Sequence, residues 1–282
     1  MCSCSKNSVR RCRPLLGTFV EIQASGLDGA RLHAAVERAF QQMERIQALM
    51  SVHDEGSELS RVNAEAALHP VKVSDETFTV LERGLDLAHA SGGAFDFTVA
   101  PILARWGLLP AHLRRRTHGD WRDVILQRGR GVRFARPLAI DLGGIAKGFA
   151  VDTAIGSLRA SDVVSASVNA GGDLRVFGPE ESWVHLRHPV AARPLAQAIL
   201  LRDSALATSS PCFTRRRWRG QAVCHLVDAR SRVARAQPVS VSIRAGECWL
   251  ADGLTKVVLN ADPTTAARLL EVHAAEAFLL SA

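Results

Sequence analysis

Tyrosine is absent from the 282-residue sequence, and aromatic residues of all kinds make up only 5% of it. Lysine is scarce as well: the only lysines among the 35 basic side chains are Lys6, Lys72, Lys147 and Lys256. Few aromatic residues argue against a single-strand nucleic-acid binder, which stacks bases on rings placed between its cations. The net charge of +7 does not by itself indicate such a partner, and we predict none.

Two local clusters of arginine stand out, at residues 114–136 and 215–219. Neither cluster accompanies a recognition helix or a zinc-finger pattern. We interpret the first cluster as a solvated face. The second follows a turn of small residues, and its role stays open.

Long apolar runs and paired cysteines are also missing. No stretch reaches the roughly 18 apolar residues of a membrane-spanning helix, so we predict no membrane span. Residues 1–14 are polar and basic, without the apolar core of a signal peptide or lipoprotein anchor. We assign them to a cysteine-containing N-terminal tail and expect a cytoplasmic protein as written, or a periplasmic one only if the start is misassigned. Cys2 and Cys4 alone are a weak metal signal, since no CxxC pair exists.

The pattern of apolar residues predicts more strands than helices, with several neighbouring strands joined by short turns. This favours an α+β fold of mainly antiparallel sheets flanked by helices, in a single compact domain over residues 15–282. The predicted strands include 15–23, 138–142, 163–169 and 224–227, and the predicted helices include 28–50, 74–91, 146–159 and 249–259.

The most informative segment is DLGGIAKG, residues 141–148. This pattern is typical of an anion-binding site: a carboxylate follows a buried strand, and two glycines lead into a helix. Glycine lets the backbone approach a phosphate, and the N–H groups at the helix start point at it. Lys147 adds a mobile positive charge. The alternative is a tight strand-to-helix turn with a surface lysine.

Other motifs allow two interpretations each. NAGGD (169–173) could place a carboxylate in a cleft, although a hairpin turn is the more common reason for such a sequence. GGAFDFT (92–98) offers an apolar ring and polar groups to a planar ligand, or simply ends a helix.

Two later motifs are equally open. In ADGLTK (251–256), Asp252 and Thr255 offer oxygens to a hard cation such as Mg²⁺, whereas Asp252 and Lys256 could equally form an i,i+4 ion pair. His225 lies in the predicted strand 224–227, where a lone histidine is more often structural than catalytic.

Taken in order, these segments resemble the ApbE family, the FAD:protein FMN transferases. The matching stretches are LLGTFVEI, MSVHDEGSELSRVN, SGGAFDFTVAPILARWG, IDLGGIAKGFAVD, NAGGDLRVFG, ALATS, HLVD and ADGLTK. The resemblance implies an enzyme that binds FAD and Mg²⁺ and cleaves the FAD pyrophosphate. It would then transfer FMN to a threonine of a target flavoprotein and release AMP.

The resemblance also assigns site residues, motif by motif. The implied FAD contacts are Leu16, His53, Ala94, Phe95, Asp96, Asp141, Lys147 and Leu226. The implied catalytic residues are His225 as the base, Asp252 and Lys256, and the implied metal ligands are the Gly144 carbonyl, Asp252 and Thr255.

The sequence departs from the family at several positions. Leu16 stands where the family usually has methionine, and His53 where it commonly has an aromatic residue. Ser210-Pro211 replaces a glycine after ALATS, and HLVD lacks the proline and Thr-Gly turn that normally follow. The largest departure is Lys256, which stands where the family has a threonine four residues after the metal-binding aspartate.

Three outcomes are open at that position. Thr255 could serve instead, Lys256 could replace one cation and bind phosphate directly, or the metal site could be lost. Accordingly, an FAD pyrophosphatase and a non-catalytic FAD-binding protein remain alternatives to the transferase.

Overall fold

The computed structural model describes residues 7–188 and 195–281. Cys2 and Cys4 lie outside these residues. The strands, in chain order, are β1 (Ser8–Leu15), β2 (Thr18–Ser25), β3 (Val71–Lys72), β4 (Val124–Gln127), β5 (Gly131–Phe134), β6 (Ser165–Ala170), β7 (Asp173–Phe177), β8 (Ser182–Arg187), β9 (Leu195–Leu201), β10 (Ala205–Ser209), β11 (Arg216–Trp218), β12 (Gln221–Val223), β13 (Val227–Asp228), β14 (Val233–Ala234), β15 (Val239–Ala245) and β16 (Glu276–Ser281). The α-helices are α1 (Gly29–Met50), α2 (Glu58–Glu65), α3 (Asp75–Ala90), α4 (Ala100–Arg105), α5 (Ala146–Arg159), α6 (Cys248–Asn260) and α7 (Pro263–Val272).

A seven-stranded sheet forms the centre of the fold, in the order β1-β2-β6-β7-β10-β15-β16. All six neighbouring pairs in it are antiparallel. Helices α1, α5 and α6 pack side by side against one face of this sheet. The hairpin β8–β9 packs on the other face, where Leu186 and Ile199 join a small apolar cluster with Leu174 and Leu206. The predicted α+β fold of mainly antiparallel sheet in one compact domain is confirmed.

Helices α1, α3, α5 and α6 form where apolar spacing and turn residues predicted them, whereas α2 and α4 form in segments predicted to be loops. Asp28 accepts a hydrogen bond from the Arg31 amide at 3.1 Å at the start of α1, and Ser74 caps α3 in the same way through the amide of Thr77 at 3.3 Å. Such caps satisfy amides that have no partner within the helix. The inward face of α1 is buried along its length, which agrees with the 3.6-residue period of its apolar side chains.

The N-terminal strand prediction over 15–23 is wrong in its bounds. The chain forms two strands there, joined by the turn Leu16-Gly17, whose φ values are +57° and +71°. The left-handed conformation suits glycine and costs energy at leucine. Residues 8–14, assigned from sequence to the tail, belong to β1.

Residues 138–142 are mostly buried, but among the described residues they belong to none of the sheets. The side chain of Asn63 takes the place of a neighbouring strand. Its amide nitrogen donates to the Ile140 carbonyl at 2.9 Å, and its oxygen accepts from the Ile140 amide at 2.8 Å. Burial of the surrounding residues explains why this segment resembles a strand in sequence, since a continuous apolar run cannot show what its backbone pairs with.

Within the described residues, none of the helices is both long and apolar enough to cross a membrane.

Candidate active site

A cleft of about 650 Å³ opens between the ends of α1, α5 and α6 and the loops beside them. Every residue predicted to contact FAD lines this cleft, together with Gly144, His225 and Lys256. The lining residues from that prediction are Leu16, His53, Ala94, Phe95, Asp96, Asp141, Lys147 and Leu226. Asp252 and Thr255 do not line the cleft: they are buried behind it, at 1% and 0% exposure.

One wall of the cleft is mainly apolar. Leu16 and Met50 contribute to it, and His53 stands exposed at its rim. The Leu16 amide donates to the Gln47 side chain at 2.5 Å, which ties the β1–β2 turn to the end of α1. A planar aromatic ligand that packed on this wall would remove apolar surface from water, which favours binding.

The segment after α3 forms the floor. The Ser91 hydroxyl accepts from the Phe95 amide at 3.1 Å, and the Asn260 side chain donates to the Ala94 carbonyl at 3.1 Å. Phe95 is only 3% exposed, so it supports the floor by packing and presents little of its ring to a ligand.

Asp96 is half-buried beside this floor. Its two oxygens accept from the amides of Thr98 and Trp121 at 2.8 and 3.3 Å. Burial outweighs these bonds and raises the pKa of Asp96 to about 6.

The opposite end of the cleft carries the glycine turn and the charged groups. Asp141 accepts from the Gly143 amide at 3.1 Å, and α5 begins three residues beyond Gly143. Burial raises the pKa of Asp141. Gly144 lies close to both Phe95 and Lys256, since a Cβ placed on it would be 3.5 Å from the ring and 3.6 Å from Lys256 Cε. The turn therefore brings bare backbone, a helix N-terminus and an ammonium group to one place.

Two ion pairs lie side by side below the turn. Lys147 of α5 pairs with Asp173 of β7, and Lys256 pairs with Asp252 one turn earlier in α6. The Gly148 amide links the two helices by donating to Asp252 Oδ2 at 3.4 Å.

The pKa values of the two carboxylates, Asp173 and Asp252, are shifted in opposite directions. Burial and the nearby charge of Asp252 raise the pKa of Asp173. Burial disfavours the charged form of Asp252 as well, but Lys256 and Lys147 outweigh it and lower its pKa. For Lys147, the two carboxylates outweigh burial and raise the pKa.

The model of the ApbE family matches residues 16–279. The chain belongs to the ApbE family. An FAD:protein FMN transferase of Vibrio cholerae is 28% identical over 263 residues, which cover 86% of this chain and 78% of the relative. One of Treponema pallidum is 31% identical over 185 residues, covering 60% of this chain and 51% of the relative.

Solved structures of ApbE proteins share the fold. The ApbE protein from Thermotoga maritima superposes with a TM-score of 0.84 at 26% identity, covering 97% of this chain and 93% of the other. The flavin transferase ApbE from Vibrio cholerae superposes with a TM-score of 0.82 at 24% identity and the same coverage.

The hairpin interpretation of NAGGD is correct, whereas its carboxylate does not line the cleft: Asp173 is buried and pairs with Lys147, which does line it. Gly171 and Gly172 form the turn between β6 and β7 with φ of +66° and +110°. Asp173 follows the turn, is 1% exposed and accepts from Lys147. Sequence offered both interpretations because it does not show that a lysine 26 residues away lies opposite the carboxylate.

The strand predicted over 224–227 is interrupted at its histidine. His225 occupies a bend between β12 and β13, and its ring opens to the cleft. In a strand, successive side chains would point to opposite faces. The bend instead lets His225, Leu226 and Val227 all line the cleft. Loss of hydration lowers the pKa of His225, although the neighbouring Asp141 charge opposes this shift.

The donor atoms predicted to hold Mg²⁺ do not fit that ion in this ApbE chain. Asp252 Oδ1 accepts from the Lys256 ammonium, and Thr255 Oγ1 is bonded to the Asp252 carbonyl at 2.6 Å and the Ser209 hydroxyl at 2.7 Å. Within the described ranges, no group of three or more His, Cys, Asp or Glu side chains is arranged to hold a metal ion.

Three residues that support the site were missed from the sequence. Asp152 accepts from the amides of Cys248 and Trp249 at 2.9 and 2.8 Å, so a carboxylate on α5 caps α6. Asn63 and Asn260 hold loop backbone on two sides of the cleft. For Asp152 and Asn260, the available signal was a polar residue in a mainly apolar helix, but the partners of all three residues are far away in sequence.

Proposed function

We propose that this chain binds FAD in the cleft and transfers its FMN half to the hydroxyl of a threonine in a partner flavoprotein, releasing AMP. One observation carries the proposal: a single cleft joins an apolar wall to a glycine turn flanked by two lysines. The apolar wall matches the planar ring system of the flavin, and the glycine turn with its lysines matches the pyrophosphate. The names of the relatives, FAD:protein FMN transferase, support the same activity.

The glycine turn and the start of α5 would receive the pyrophosphate. Helix N-terminal amides and ammonium groups favour an anion, and they do so more strongly in a cleft that excludes water. A cleft of about 650 Å³ falls within the usual size of small-molecule sites. We assign the flavin to the wall of Leu16 and His53, with Asp96 and Leu226 as polar and apolar contacts.

The proposed reaction is an in-line displacement at phosphorus. The threonine oxygen bonds to the flavin-side phosphorus, and the bond from that phosphorus to the bridging oxygen breaks. AMP leaves with the bridging oxygen, and the hydroxyl proton passes to a base. Such reactions depend mainly on positioning and on charge neutralisation.

We assign the base to His225. Its ring opens to the cleft, and its lowered pKa keeps the imidazole neutral near pH 7, which is the state that accepts a proton. Asp141 beside it favours the protonated form once the proton has moved. Although the resemblance implies Mg²⁺, the donor set does not fit the ion, and no step is assigned to it.

The direct test uses co-expression with a candidate acceptor, a flavoprotein that carries a threonine in a short flavinylation motif. We expect flavin fluorescence to stay with the denatured acceptor band, and to vanish when the acceptor's target threonine is changed to alanine. AMP should form in equal amount to labelled acceptor. Free FMN and AMP without acceptor labelling would instead identify a pyrophosphatase, and retained intact FAD without AMP a binding protein.

The role of His225 is tested with His225→Ala against His69→Ala, an exposed histidine outside the cleft. We expect His225→Ala to slow transfer by about a hundredfold or more while leaving FAD affinity nearly unchanged, because a general base acts on the reaction step. His69→Ala should match the parent. Equal transfer rates for the two variants would remove His225 from the mechanism.

A further inference from the structure

Lys256 occupies the position at which the family places a metal-binding threonine. Its Nζ donates to both the Asp252 carbonyl, at 3.1 Å, and the Asp252 carboxylate. The side chain is 17% exposed and reaches the cleft beside Gly144. An ammonium group thus lies between the buried carboxylate and the place assigned to the pyrophosphate.

Thr255 cannot take over as a ligand in this arrangement. It is fully buried, and its hydroxyl already joins the Asp252 carbonyl to Ser209 of β10. Turning the hydroxyl toward the cleft would break both bonds and leave the Ser209 hydroxyl without its partner in a buried position.

The ammonium of Lys256 can serve both neighbours. Of its three N–H groups, Asp252 takes two among the described residues, and the third can face an anion in the cleft. The 1% exposed carboxylate holds the lysine in place from behind. A divalent ion entering here would meet the charge of Lys256 and lose the Asp252 oxygen as a free ligand.

We propose that Lys256 is a built-in counter-charge that binds the FAD pyrophosphate directly, so that this chain binds and uses FAD without a divalent metal. This inference rests on the proposed function, because it concerns how that same substrate is held. Lys147 of the adjacent helix α5, which pairs with Asp173 of β7, supplies a second ammonium at the same end of the cleft.

The test compares FAD affinity in EDTA and in millimolar Mg²⁺, measured by quenching of flavin fluorescence. For the parent chain we expect dissociation constants that agree within about twofold. A Mn²⁺ titration followed by electron paramagnetic resonance, with FAD present, should show no bound ion. EDTA weakening FAD binding tenfold or more, with recovery in Mg²⁺, or one tightly bound Mn²⁺ per chain, would overturn the inference.

The variant Lys256→Thr tests the same inference from the opposite side, because it should make FAD binding depend on Mg²⁺. It frees Asp252 and puts a hydroxyl four residues after it, so FAD affinity in EDTA should fall about tenfold or more, as expected for loss of a charge-assisted hydrogen bond. Mg²⁺ should restore that affinity and raise the melting temperature of this variant only. Lys72→Thr, at an exposed lysine of β3, is the matched control and should behave as the parent. A Lys256→Thr variant that folds and binds FAD as tightly in EDTA as the parent would also overturn the inference.

The measurements separate this inference from the proposed function. Metal-independent FAD binding without transfer to any acceptor would refute the transferase and leave the role of Lys256 standing. Transfer that requires Mg²⁺ would do the reverse.

Discussion

Gly148 is the position at which a single added methyl group should do most damage to the site. It lies in the first turn of α5, where its backbone meets the start of α6. A Cβ on Gly148 would lie 2.4 Å from the Cys248 carbonyl oxygen and 2.7 Å from Trp249 Cα. Both neighbours are backbone atoms, so no side chain can turn aside to make room.

The size of the effect follows from this contact. Ordinary van der Waals contact begins near 3.4 Å, so in Gly148→Ala the two helices must separate locally by about 1 Å. The separation stretches the caps from Asp152 and the bond from the Gly148 amide to Asp252. Overpacking of this kind costs about 3 kcal/mol, which lowers the melting temperature of a chain this long by roughly 6–12 °C.

The same helix provides a matched control. Gly156 is exposed, and a Cβ on it would meet nothing within 4 Å. Gly156→Ala should therefore raise the free energy of unfolding by about 0.5–1 kcal/mol, because alanine has less backbone freedom to lose than glycine. Thermal unfolding monitored by circular dichroism compares the two variants directly, and FAD titration of the folded variants reports on the site.

We expect Gly148→Ala to melt well below the parent and to bind FAD more weakly, and Gly156→Ala to melt slightly above it with unchanged affinity. A Gly148→Ala variant as stable as the parent would refute the argument that close backbone approach of α5 and α6 builds the site. Loss of stability with full FAD affinity would show that the glycine serves packing alone.

Two further predictions concern buried carboxylates. Asp152→Ala should lower the free energy of unfolding in urea by about 3–5 kcal/mol, because Arg175 and two α6 amides lose their partner. Asp152→Asn keeps an acceptor and should lower it less. Equal losses for the two variants would assign the effect to the charge alone. Folding raises the pKa of Asp96 from 3.8 to about 6, so its stabilising contribution is greatest below pH 4 and is lost as the pH rises through 6. Asp96→Asn should therefore gain on the parent between pH 4 and 6 by at most about 3 kcal/mol in urea titrations. A stability difference that does not change with pH would contradict the raised pKa of Asp96.

Local features of the chain were predictable because their causes lie within a few residues. The caps at Asp28 and Ser74 and the glycine turn before α5 each follow from side chains next to the backbone they affect. The family motifs then brought distant segments together on one cleft, which composition and periodicity could not have done.

The strand predictions were wrong where the interactions that fix the backbone come from residues far away in sequence. Residues 138–142 resemble a strand, but their backbone bonds to the side chain of Asn63, 77 residues away from Ile140. His225 was placed in a strand because the residues around it are apolar, whereas the described chain bends there and turns three successive residues to one cleft.

The sequence alone indicated the antiparallel α+β fold, the glycine turn before α5 and the departure at position 256. It left three outcomes for the metal site open, because helical spacing puts both Thr255 and Lys256 within reach of Asp252. The tertiary structure counts against the first of these outcomes, because Ser209 of β10 holds the Thr255 hydroxyl in the interior, while Lys256 extends along Asp252 into the cleft. The reason is that the direction of a buried hydroxyl is decided by the neighbour that satisfies it, and that neighbour lies 46 residues away in the chain.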